Sequence, residues 1–119
     1  MKSPLREKSY KFAVQIIKLS QELTNKKEFI LSKQLVRSGT AIGAILREAD
    51  YASSKLDFIY KFSLSLKEAN ETEYWLMLLY DTDYISKENF NKLRSDCKEL
   101  IAMLVAALNT LKKGKTENK

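Results

Sequence analysis

The stretch Phe90–Leu111, FNKLRSDCKELIAMLVAALNTL, carries Phe90, Leu93, Cys97, Leu100, Leu104, Ala107 and Leu111 at unbroken three- and four-residue steps. That rhythm draws a single apolar stripe along about six turns of α-helix. A stripe this regular suits helices packed side by side with axes roughly 20° apart. Upstream, DTDYIS (81–86) reads as a turn, with Ser86 as the N-cap of this last helix.

Three more helices are expected before it. The first starts at Ser3 (N-cap) and Pro4 (first helical position), where proline's missing N–H is not needed. Its stripe is Leu5, Ser9, Phe12, Ile16, Leu19 and Leu23, and it ends near TNKK. The second runs from about Lys27 to Ala52, with Leu31, Leu35, Ile42, Ile45, Leu46 and Ala49 inward. The third begins at Ser54, with Asp57 favourable to the dipole of its first turn, and continues to about Tyr80. Short connections then predict an all-α, antiparallel up-down-up-down four-helix bundle. Residues 1–119 form one domain, with the polar tail 113–119 expected to fray.

The composition agrees. The chain has 119 residues, 45% of them hydrophobic and 30% charged, enough for a core without disulfide or metal staples. One proline and three glycines do not supply the turn chemistry of a β-rich fold. The first residues, MKSPLREK, lack the apolar run of a signal peptide. No apolar run approaches the roughly 18 residues of a membrane span. A cytoplasmic protein with a reduced thiol at Cys97 and no membrane association is therefore expected.

Two glycines, Gly39 and Gly43, sit inside the second helix in RSGTAIGAILREA (37–49). Each costs roughly 1 kcal/mol relative to alanine there, so both should permit close helix packing. The neighbour is the region of Ser63 within the bundle, another subunit or an approaching ligand.

The third helix has two apolar faces. Phe58, Ile59, Phe62, Leu66, Ala69, Leu76, Met77 and Tyr80 form the expected core stripe, while Tyr60, Leu64, Trp75 and Leu78 point the other way. A second apolar face needs a cover, so these four are the candidate oligomer interface. Asn70 and Glu73 fall within the core stripe and are expected to be buried polar groups. Lys33, Arg37 or Ser38 could satisfy Glu73.

Catalysis finds little support. With no histidine, a zinc site, a His-based triad and a Glu-x-x-His di-iron site are all disfavoured, and no metal or cofactor is expected. Glu68, Glu71 and Glu73 do not share a face, and Cys97 lies on a core stripe as a small hydrophobe.

Charge points instead to an anionic partner. Residues 1–67 hold 13 Lys and Arg against 6 Asp and Glu, whereas residues 68–119 hold 8 against 9. Lys8, Lys11 and Lys18 share a face of the first helix, and Lys26, Lys27, Lys33, Arg37 and Arg47 lie off the stripe of the second. Clustered cations of this kind bind phosphate backbones by charge and shape, with little base readout. A solvated face is the plain alternative.

KSYKFAVQIIKL (8–19), SKQLVRSGTAIGAILREA (32–49), SKLDFIYKFSLSLKEANETEYWLMLL (54–79) and DYI (83–85) together resemble the bacterial 23S rRNA intervening-sequence proteins. That family also includes the accessory variability determinant of diversity-generating retroelements. The resemblance implies an up-down bundle, a homopentamer with a basic surface, and no known catalytic activity. For the accessory protein it implies an adaptor for a reverse transcriptase and nucleic acid. The family's blocks fall on Arg37, Ser38, Gly39, Gly43, Arg47 and Glu48, and on Glu68, Glu71, Glu73 and Trp75; the resemblance carries over no functional residue set, and these are read first as packing and interface positions.

Overall fold

The computed structural model describes residues 3–117, with side chains described through Gly114. Four helices follow one another: α1 (Pro4–Asn25), α2 (Ile30–Ala49), α3 (Lys55–Asp81) and α4 (Lys87–Glu117). No strand occurs among the described residues. The helices stand antiparallel in chain order around a square, with α2 wedged firmly between α1 and α3 and the loosest seam between α4 and α1. The helix of the tail continues to Glu117, and residues 118 and 119 lie outside the described residues.

The starts are set by side chains that satisfy the free N–H groups of each first turn. Ser3 Oγ accepts from Arg6 N, Ser54 Oγ from Asp57 N, and Ser86 Oγ from Asn89 N. Asp57 in turn accepts from the N–H of Ser53, the residue before the cap. At α2 the cap is Glu28, whose Oε1 takes the N–H groups of Leu31 and Ser32.

Helix α2 is shorter than the periodicity suggests. Lys27 cannot begin it, because Lys27 sits at φ 64°, in left-handed backbone. It closes α1 instead: Lys27 N–H reaches Thr24 O and Glu28 N–H reaches Leu23 O, the paired bonds of a Schellman motif. Asp83, at φ 67°, closes α3 in the same way, with bonds from Asp83 to Tyr80 and from Tyr84 to Leu79. At its other end α2 stops at Ala49, and the next residues form turns.

The core is the stripe of α1 (Leu5, Phe12, Ile16, Leu19, Leu23) meeting Leu35, Ile42 and Leu46 of α2, Phe62, Leu76 and Leu79 of α3, and Leu93, Leu100 and Leu104 of α4. Several of its inward positions are small and polar. Thr72 donates to Ser38 Oγ or to Glu68 O, Ser65 donates to Ile42 O, and Ser20 and Ser32 share a hydrogen bond of 2.6 Å. Such pairs let α2 lie close to both neighbours while leaving no buried side-chain polar atom without a partner among the described residues.

Gly39 and Gly43 belong to this close packing, but they face α1, not Ser63 of α3. A Cβ on Gly39 would stand 2.8 Å from Ile16 Cγ2, and one on Gly43 would stand 3.0 Å from Ser9 Oγ.

Candidate nucleic-acid interface

The eight cations expected on the basic face divide into two groups. Lys8 turns away toward α4, with its ammonium 2.6 Å from Glu99 and 3.7 Å from Asp96. The hydrogen bond to Glu99 raises its pKa above the usual lysine value, and Asp96 adds to the effect. Arg37 is held by Glu68, 3.1 Å away, and by Glu71. Lys26 donates to Tyr84 O, tying the α1–α2 turn to the α3–α4 turn.

The others remain available. Lys11 and Lys18 on α1, Lys33 and Arg47 on α2, and Lys27 in the turn are exposed and make no ion pair among the described residues. Lys11 and Lys18 stand two turns apart on α1, roughly 10 Å along its axis. Lys33 and Arg47 mark the two ends of the outer face of α2, roughly 21 Å apart. Free positive charge therefore lies on the outside of α2, at Lys33 and Arg47, and along the α1–α4 seam, at Lys11 and Lys18.

Two grooves flank α1 near its start. One, of about 470 Å³, lies between α1 and α2 and is lined by Tyr10, Ala13, Thr40, Gly43, Ala44 and Arg47, among others. The second, of about 340 Å³, follows the α1–α4 seam beside Lys11, Gln15 and Lys92. Tyr10 borders both and is 70% exposed. The helical pattern identifies Tyr10 only as a residue off the stripe, and the grooves exist only once three helices are assembled.

Helix α3 corrects two expectations about buried polar groups. Asn70 is exposed and donates to Leu66 O on its own helix. Glu73 is only partly covered and turns to α4, accepting from Arg94 at 3.1 Å and lying 3.5 Å from Lys98. Thr72, one position earlier, takes the place beside Ser38. Apolar residues surround α3 almost evenly, so hydrophobicity alone misplaces its inner face. Its interior is drawn by Ser65, Ala69, Thr72 and Leu76.

On the opposite side of α3, Tyr60 is 58% exposed, while Leu64, Trp75 and Leu78 are half-buried. The Trp75 indole N–H donates to Glu71, and its ring rests partly on the core. Tyr74 and Met77 are exposed as well, although Met77 was expected inside. Met77 falls one position past Leu76, about 100° further round the helix, and stands at the outer edge of the side on which Glu73 and Tyr80 reach α4.

Cys97 is fully buried, its Sγ–H donating to Ala69 O at 3.2 Å. Burial, reinforced by the nearby Glu73 carboxylate, pushes the thiol up to about 12. It is held as a protonated packing group. No cluster of three or more His, Cys, Asp or Glu able to hold a metal occurs among the described residues. None of the helices is long and apolar enough to cross a membrane.

A four-helix bundle with an outward basic face on its first two helices defines the class of this molecule. Within that class, the chain belongs to the 23S rRNA-intervening sequence protein family, whose model matches residues 2–106. A crystal structure from Bacteroides thetaiotaomicron, of a protein with unknown function from the S23 ribosomal protein family, is similar at 48% identity and a TM-score of 0.86. The match covers 87% of this chain and 97% of that one. No curated protein matches the chain.

Proposed function

We propose that the protein is a non-enzymatic, homo-oligomeric adaptor that binds RNA or DNA by charge and shape. The observation that carries this reading is the set of unpaired cations on the first two helices, Lys33 and Arg47 on the outside of α2 and Lys11 and Lys18 beside the α1–α4 seam. Glu99, Glu68 and Glu73 are meanwhile engaged elsewhere, by Lys8, Arg37, Arg94 and Lys98. In a ring of five copies, the assembly that the family resemblance implies, these patches would add to one strong field. The enclosed, protonated Cys97 supports a role without a thiol nucleophile. A cytoplasmic location goes with this reading.

The exposed Tyr60, Tyr74 and Met77 of α3 favour a second reading, a protein-interaction scaffold. A reverse transcriptase is the partner that the retroelement resemblance implies for it.

Fluorescence anisotropy separates the two. The adaptor binds a structured RNA or a duplex DNA at about 50 mM salt and loses affinity steeply by about 200 mM. Reversing Lys11, Lys18 and Lys33 to Glu together abolishes that binding, whereas Lys8→Gln has little effect. If neither nucleic acid binds at the lower salt, the scaffold reading stands instead.

A further inference from the structure

We propose that the groove between α1 and α2 seats an unpaired nucleobase, so that the nucleic acid held by this protein is single-stranded where it crosses α1. The inference rests on the adaptor reading and names the form of its ligand.

The floor of the groove is flat and apolar for a specific reason. Gly43 contributes no side chain, and Ala13 and Ala44 contribute one methyl each. The hydroxyls beside it are already engaged. Ser9 donates to Arg6 O at 3.0 Å, and Thr40 donates to Val36 O at 2.6 Å. A wall rises from this floor at Tyr10, whose ring has no aromatic or cationic partner among the described residues. Bases stack readily on exposed aromatic rings, and such stacking tolerates any sequence.

Charge decides the chemistry of the occupant. Arg47 lines the groove without an acidic partner, and Arg6, across it, is neutralised by Asp50 at 2.6 Å. Lys11 stands on the far side of Tyr10, in the second groove. A strand crossing α1 at Tyr10 thus meets a flat aromatic surface with an unpaired cation on either side. One arm fits a phosphate toward Arg47, and the other fits the next phosphate toward Lys11. The volume of about 470 Å³ lies in the range of small-molecule sites and accommodates one planar base. A paired base, enclosed in its duplex, cannot enter.

The test is anisotropy with a labelled single-stranded RNA of roughly 12 nucleotides and with its blunt duplex, using the full chain. Tyr10→Ala is expected to weaken single-strand binding roughly tenfold, leave duplex binding unchanged, and keep the salt dependence of wild type. Tyr10→Phe retains binding, and Arg47→Gln lowers the salt slope by about one phosphate contact. Tyr10 is exposed, so its variants keep their thermal midpoint.

Three results overturn the inference while leaving the adaptor reading intact: a preference for duplex, no loss with Tyr10→Ala, or an equal loss on both ligands. A change in assembly mass with Tyr10→Ala also overturns it, because the groove is then a subunit contact. Failure of the wild type to bind either ligand removes the adaptor reading, and this inference with it.

Discussion

At Gly39 two opposing energies can be compared directly. Alanine there would gain up to about 1 kcal/mol in helix propensity. Against this, the new Cβ would lie 2.8 Å from Ile16 Cγ2, a fully buried, β-branched side chain held stiff at χ1. Overpacking of this kind costs about 1–3 kcal/mol. Gly39→Ala is therefore expected to lower stability by up to about 2 kcal/mol net, read as a shift in the urea midpoint with the slope unchanged. An unchanged or raised midpoint would mean that α1 can move away from α2 at little cost. The glycine spacing reveals that a close approach exists. Which helix makes it depends on where Ile16 and Ser9 arrive in three dimensions. Glu73 teaches the same point: its burial and its partners Arg94 and Lys98 depend on the rotation of α3 against α4, which its own sequence leaves open.

The helices themselves were legible where caps and stripes coincide. Ser3, Ser54 and Ser86 each accept the N–H that their position in the sequence suggests, and the stripe of α1 is buried throughout. The beginning of α2 was not legible, because a lysine gives no hint of left-handed backbone. Lys27 and Asp83 occupy the positions where helix ends usually carry glycine. Lys27→Gly should relieve steric strain of about 1–2 kcal/mol and lose part of that to the greater freedom of the unfolded chain. A net gain of about 0.5–1 kcal/mol is expected in chemical denaturation. Destabilisation would show that the Lys27 side chain makes a contact worth more than the strain.

For the molecule as a whole, the outer face of α3 is the place to test assembly. Tyr60 and Tyr74 lie on that face with their rings largely in solvent. If it is a subunit contact, Tyr60→Glu combined with Tyr74→Glu will reduce the mass seen by sedimentation to that of one chain without loss of helix content. A single-chain mass for the wild type, or an oligomer that survives both substitutions, would count against α3 as the contact. The unpaired cations of α1 and α2 lie away from this face, so nucleic-acid binding by each chain should persist while its salt slope falls.

The sequence by itself determined the four helices, the N-caps of α1, α3 and α4, the order in the bundle and the excess of positive charge in the first half of the chain. These follow from local hydrogen bonding and from a period of 3.6 residues, both written in the residues of one segment. Tertiary structure alone decided that Gly39 and Gly43 face α1, that Lys8 and Arg37 are neutralised, and that Tyr10 stands between two grooves. Each of these depends on how one helix is rotated against another, and that rotation is set by packing among residues far apart in the chain.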